Sequence, residues 1–160
     1  MELLLLRHGK AEGHLTTSSD FSRALVEKGV EQAMRAARVL RSAGCLPDLV
    51  LCSPLVRAQQ TADAFTLAAG IPGPVSQSWL ACGMSPEMAL KELTAFPDFA
   101  RVMIVGHEPD FSQLVQYLLG TSGGGVEVRK GSVTCLEVSP PSRQATLRFL
   151  MPFKLAKHLE

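Results

Sequence analysis

Apolar positions along the chain come in two kinds of run, and their alternation predicts an α/β protein. Glu2 leads into Leu3-Leu4-Leu5-Leu6 and then Arg7, a short continuous apolar stretch of the kind found in strands buried on both faces of a parallel sheet. Residues 9–20 are polar and irregular. Val26, Val30, Ala33, Ala37 and Leu40 then recur at steps of three and four, which makes the apolar stripe of a helix ending near Gly44. Residues 49–52 read as a second strand. Ser53-Pro54 after it reads as a helix start, with Ser53 as N-cap and Pro54 at the first helical position. Leu55, Ala58, Ala62, Phe65 and Ala69 supply that helix's buried face.

The pattern then weakens and repeats. Residues 75–78 form a marginal strand and residues 86–96 a helix with Leu90 and Leu93 inward. Residues 101–105 are a third apolar strand, running into Gly106-His107-Glu108-Pro109-Asp110 and a helix that carries Phe111, Leu114, Val115 and Leu118. After a glycine-rich break at residues 120–125, short strands are expected at 127–129, 132–138 and 145–150, separated by Lys130-Gly131 and Ser139-Pro140-Pro141. Strands alternating with helices, then a hairpin-like end, predict a three-layer α/β sandwich. Its central sheet should be mostly parallel, with helices on both faces.

Composition narrows the class. With 160 residues, 46% of them hydrophobic and 19% charged, the chain has the size of one compact domain, expected to span residues 1–158 with Leu159-Glu160 as a cloning remnant. Sixteen basic and fifteen acidic residues give a net charge of +1 without long blocks of either sign. Nothing in that balance draws a nucleic acid or a membrane surface over long range, and neither is expected as a partner. Cys45, Cys52, Cys82 and Cys135 lie far apart with no CxxC pair, so buried or part-buried free thiols in a reducing, cytoplasmic setting are expected. The leucine run is too short to span a bilayer and meets Arg7-His8 without a cleavage site.

Chemistry concentrates at three strand ends. Arg7-His8-Gly9, Ser53 with Arg57, and Gly106-His107 each follow an apolar strand, and in a parallel sheet the carboxyl ends share one edge, where such folds hold their ligands. Arg57 falls in the first turn of its helix, beside the positive end of the helix dipole, and its guanidinium suits phosphoryl oxygens. Gly9 lets a phosphate approach the main chain closely. Two arginines and two histidines would offset a dianionic phosphate. Competing readings are weaker. Cys52 and Arg57 stand one residue too close for a cysteine phosphatase loop, Gly123-Gly124-Gly125 lacks the Lys-Ser or Lys-Thr of a nucleotide loop, and His8, His14 and His107 lack a carboxylate partner for a metal.

Met1 to Gly9, the run from Ser53 to Ala62 and Gly106-His107-Glu108-Pro109 resemble the histidine phosphatase superfamily, whose fold is phosphoglycerate mutase-like. Within it the chain resembles the small SixA-type phosphohistidine phosphatases, including Arg23-Ala24-Leu25, Gly29, Gln32-Ala33 and Lys130-Gly131-Ser132. The resemblance implies that His8 is the nucleophile that becomes phosphorylated, with Arg7, Arg57 and His107 as the phosphate pocket. It departs at Val26, where such proteins often carry a Thr that caps the first helix, a loss of about 1 kcal/mol. It departs also at Lys10, where many relatives have an acidic or small residue, and substrate preference is expected to follow.

A neutral imidazole attacks phosphorus through one nitrogen when the other holds its proton against a carbonyl. Transfer to His8 and then to water needs no metal or cofactor, because the arginines and His107 supply the charge stabilisation. The leaving group's acid stays open. Glu108 follows His107 where acid phosphatases of the superfamily carry an Asp, and it reads either as that acid or as a helix-start carboxylate facing the dipole. Glu12 is a second candidate, and Asp110 reads as a capping residue. With no long insertion to form a lid, a phosphohistidine on a protein phosphotransfer domain is the leading substrate. A small phosphate ester is the alternative, and a non-catalytic phosphate-binding module is the reading from another class.

Overall fold

β1 (Glu2–Arg7) is the strand around which the sheet is built. In a computed structural model of the chain, which describes residues 1–15 and 19–159, β1 is followed by α1 (Glu27–Ser42), β2 (Leu49–Cys52), α2 (Val56–Ala69) and the two-residue β3 (Val75–Ser76). A 3-10 turn at Ser78–Leu80, α3 (Pro86–Leu93), β4 (Arg101–Gly106), α4 (Asp110–Leu119), β5 (Val133–Val138), β6 (Ala145–Met151) and the short α5 (Phe153–Ala156) complete the order. The expected polar stretch at 9–20 includes residues 16–18, and the expected remnant includes Glu160; both lie outside the described residues.

The sheet runs β3-β2-β4-β1-β5-β6. β3, β2, β4 and β1 run parallel to one another, whereas β5 pairs antiparallel with β1 and β6 antiparallel with β5. The mostly parallel sandwich is therefore as expected. Alternation along β1 divides two cores: Leu3 and Leu5 pack with α3 and α4, while Leu4 and Leu6 pack with α1 and α2. All four leucines are fully buried, so truncating any one to Ala costs about 2–5 kcal/mol, a large share of a typical folding free energy. That rigid frame fixes where the strand ends point.

Several expectations are corrected. α1 begins at Glu27 with Val26 as an N-cap that offers no side-chain bond, and Val30 lies at its exposed edge while Gly29, Gln32 and Ala36 join the buried face. The helix after β2 starts at Val56, not at Pro54, because Leu55 is still extended; the Ser53 hydroxyl accepts the Leu55 N–H and has a second partner described below. α3 stops at Leu93 rather than Phe96. Residues 127–129 form no strand; the Val128 carbonyl is turned to Arg7 instead. α5 has no counterpart in the periodicity. Cys82 is exposed, while Cys45 is half-buried and Cys52 and Cys135 are buried, all as free thiols. No helix among the described residues is long and apolar enough to cross a membrane.

Candidate active site

The ends of β1 and β4 lie side by side, with Arg7 in register with Gly106, and the His8 N–H donates to the Gly106 carbonyl at 3.0 Å. That pairing places His8 and His107, each one residue past its strand, with ring centroids 5.3 Å apart and planes tilted by 54°. Both histidines are buried. Two glycines make the approach possible. A side chain at Gly9 would sit 2.5 Å from the Gly29 carbonyl, and one at Gly106 would sit 2.9 Å from the Phe111 ring.

His8 Nδ1 lies 2.8 Å from the carbonyl oxygen of Gly9. A carbonyl only accepts, so Nδ1 carries the proton and Nε2 holds the lone pair. Burial first, then the charges of His107, Arg57 and Arg7, push the His8 pKa down to about 3 against the pull of the Gly9 carbonyl. The ring is neutral at pH 7. Arg57 Nε donates to His8 Nε2 at 3.3 Å.

Arg57 is itself buried and heavily engaged. Its Nη1 donates to the Asp20 carbonyl at 2.8 Å and its Nη2 to Asp20 Oδ2 at 3.1 Å, with Cys82 Sγ 3.7 Å from Nη2. Burial works against the Asp20 carboxylate, but Arg23 and Arg57 outweigh it and hold its pKa below the usual range. The fork expected to grip phosphoryl oxygens is thus occupied by Asp20, and the Nε edge is the one that faces His8.

His107 is anchored the other way round. Its Nε2 lies 2.7 Å from Ser53 Oγ, and its buried Nδ1 has no hydrogen-bond partner among the described residues. Burial, followed by Arg57, lowers its pKa to about 4 despite the opposing Asp20 carboxylate. Arg7 donates through Nη1 to the Val128 carbonyl at 2.8 Å, while its buried Nε is also without a partner among the described residues. An orphaned buried donor costs about 1–3 kcal/mol. Arg7 Nε is one such donor, and His107 Nδ1 is a second where the Ser53 hydroxyl donates to Nε2; together beside the His8 ring they suit an acceptor-rich group.

The remaining expected residues fall into clear positions. Gly9 donates its N–H to Thr61 Oγ1 at 3.0 Å, and that hydroxyl donates to the Arg57 carbonyl at 2.7 Å. That bond takes up the Gly9 amide, and the missing side chain makes room for Gly29. Glu108 accepts the Ser112 N–H through Oε1 at 2.8 Å, inside the first turn of α4, which is the helix-start role; its charge also reaches Arg7. Glu12 accepts the Ala24 N–H at 3.3 Å. Asp110 does not cap its own helix: its Oδ2 accepts from Gly83 and Met84, tying down the turn after Cys82. Cys52 faces the α1 and α2 core, where burial raises its pKa to about 11 and keeps it a thiol.

Sequence reasoning missed Asp20, Thr61 and the true work of Ser53. For Asp20 the signal was its place three residues before Arg23, though nothing in the pattern tied it to Arg57.

Comparison with known proteins bears on the same segment. A sequence model described as the histidine phosphatase superfamily (branch 1) matches residues 3–80, the stretch that holds Arg7-His8-Gly9, Ser53 and Arg57. An uncharacterized protein of Picosynechococcus is 31% identical over 153 residues, covering 91% of this chain and 90% of that protein. Among solved structures, the protein histidine phosphatase SixA complexed with tungstate superposes with a TM-score of 0.86 at 23% identity, over 97% of this chain and 99% of that one. A protein assigned as the phosphohistidine phosphatase SixA of Agrobacterium tumefaciens gives 0.79 at 25% identity, over 94% and 97%. Family match, relative and shared fold agree, and the chain belongs to the histidine phosphatase superfamily.

Proposed function

We infer that this chain is a phosphatase that removes the phosphoryl group from phosphohistidine on a protein, through a covalent intermediate on His8. The observation that carries the reading is the disposition of carboxylates. Among the described residues around the two histidines, Glu108, Glu12, Asp20 and Asp110 each accept hydrogen bonds that hold them in the surrounding fold, and none is hydrogen-bonded to His8 or His107. An alkoxide leaving group needs a proton in the transition state, and a general acid typically contributes about 10²–10⁴ in rate. An imidazole with its distal nitrogen protonated from solvent leaves neutral, and its conjugate acid has a pKa of about 6.5.

The steps balance without a metal. His8 Nε2 gives its lone pair to phosphorus as the substrate's P–N bond breaks, and the electron pair goes to the departing imidazole. His8 then carries phosphate on Nε2 and its proton on Nδ1, a cation held against the Gly9 carbonyl. Water next attacks phosphorus, the Nε2–P bond breaks, and the water's proton leaves on inorganic phosphate. Arg57 Nε, Arg7 Nε and His107 Nδ1 stabilise the equatorial oxygens in both steps. For His107 to donate there, its proton must be on Nδ1, which follows when the Ser53 hydroxyl donates to Nε2 while accepting the Leu55 N–H. Arg7, His8, Arg57 and His107 are the catalytic residues of this reading, and Ser53, Asp20 and Thr61 position them.

Leaving groups of graded basicity test it. With a histidine-phosphorylated phosphotransfer protein, p-nitrophenyl phosphate and phosphoserine as substrates, kcat/KM is expected to fall in that order, with phosphoserine lower than phosphohistidine by about 10² or more. Turnover of phosphoserine as fast as phosphohistidine, lost in Glu108→Gln, would overturn it and make Glu108 the acid of a phosphomonoesterase.

A further inference from the structure

A groove of about 580 Å³ runs beside the candidate active site, walled by Leu150, Pro152, Phe153 and Leu155 and rimmed by Lys28, Arg129, Lys130 and Lys154, with Glu127 its sole carboxylate. Arg129 pairs with Glu127 at 2.9 Å, so Lys28, Lys130 and Lys154 carry the rim's excess of positive charge in a chain whose net charge is only +1. All four cations are exposed. Phe153 is buried beneath Arg35 and Lys157, whereas Leu155 stands 56% exposed, so the apolar wall is open to an incoming side chain.

The groove adjoins the site through Gln32 and Lys130. Gln32 joins the two: its Oε1 accepts the Lys10 N–H at 2.8 Å and its Nε2 donates to the Lys130 carbonyl at 3.2 Å. The neighbouring Gly131 N–H donates to the Arg7 carbonyl at 3.1 Å. Lys130 also senses the site electrostatically, since burial and then Arg7, Arg23, Lys10 and Arg57 lower its pKa. A bound chain that delivers a phosphoryl group to His8 therefore has a natural path past Lys130 into the groove.

We propose that this groove docks an acidic amphipathic helix of the phosphohistidine-bearing protein, its carboxylates on Lys28, Lys130 and Lys154 and its apolar face on Leu155 and Pro152. The proposal rests on the protein-substrate reading above and names the class of segment that substrate presents. An apolar stripe flanked by carboxylates matches the wall and rim. Nucleic acid fits less well, because the groove exposes no aromatic face on which a base could stack.

Two helical peptides with one phosphohistidine each provide the test, one with Glu and Leu flanks and one with Gln in place of every Glu. Wild-type protein is expected to prefer the acidic peptide by about tenfold in kcat/KM, and the Lys28→Glu/Lys154→Glu variant to lose that preference. p-Nitrophenyl phosphate, which does not reach the groove, should change by less than about twofold in the variant. The unphosphorylated acidic peptide should bind wild type in a salt-sensitive way and bind the variant about tenfold more weakly. Equal use of both peptides, an equal loss on p-nitrophenyl phosphate, or preference of the rim for anionic vesicles or duplex DNA over the acidic peptide would overturn the docking proposal. If wild type cleaves p-nitrophenyl phosphate but neither peptide, the functional reading falls instead, and the binding measurement still judges the groove.

Discussion

The ends of β1 and β4 carry the same residue in the same place and use it in opposite ways. Each strand finishes beside the other and each offers a histidine one residue later. At β1 the ring is anchored through Nδ1 on its own neighbour's carbonyl, so Nε2 keeps a lone pair facing Arg57. At β4 the ring is anchored through Nε2 on Ser53, and Nδ1 is the free nitrogen. In the proposed mechanism the anchor, not the residue type, decides which histidine attacks and which holds. A carbonyl anchor forces a donor and leaves a nucleophile; a hydroxyl anchor accepts either tautomer and here fits a donor to oxygen.

Removing each ring separates the roles most strongly. His8→Asn is expected to lower turnover by about 10³ or more and to abolish the phosphoenzyme. His107→Asn should cost about 10² through lost charge stabilisation, yet still accumulate phosphate on His8. Equal losses with no phosphoenzyme in either variant would erase the distinction. A smaller change touches one anchor only. Ser53→Ala should reduce kcat about tenfold while leaving the His8 ring unmoved, with the altered tautomer of His107 visible in its ring-nitrogen chemical shifts; unchanged shifts would show that Ser53 fixes nothing.

Acid stability tests the property that the two rings share. Both are buried and neutral, with pKa values of about 3 and about 4 against 6.5 in an unfolded chain. Above pH 6.5 neither state takes the proton. Between that value and the folded pKa the unfolded chain binds protons that the folded one refuses, so stability falls as pH falls. From pH 7 to 5.5 each histidine should remove about 1 kcal/mol, measured by urea denaturation, and each single Asn variant should recover its own share. The smallest effect is expected at Glu108. Glu108→Gln keeps an acceptor for the Ser112 N–H, and phosphohistidine turnover should stay within about twofold.

The strands that frame this comparison were legible because burial on both faces leaves an uninterrupted apolar run, as in Leu3 to Leu6. His8 and His107 were legible because parallel strands must end on a common edge. Ser53 was misread since Ser-Pro is a general helix-start signal, and only the sheet register shows that the hydroxyl lies under His107. Residues 127–129 alternate like a strand, yet the Val128 carbonyl is claimed by Arg7 from 121 residues away. Asp20 and Thr61 act through bonds that join distant segments, and no local period encodes those. α5 is a single turn of four residues, too short for a 3.6-residue stripe to repeat.

The most direct measurement is where the phosphoryl group sits after rapid acid-free quenching of wild-type protein with a histidine-phosphorylated substrate. Phosphorus-nitrogen coupling and peptide mapping should find an acid-labile, alkali-stable phosphate on Nε2 of His8. Phosphate on His107, on His8 Nδ1, or on neither ring during active turnover would contradict the assignment of roles to the two strand ends.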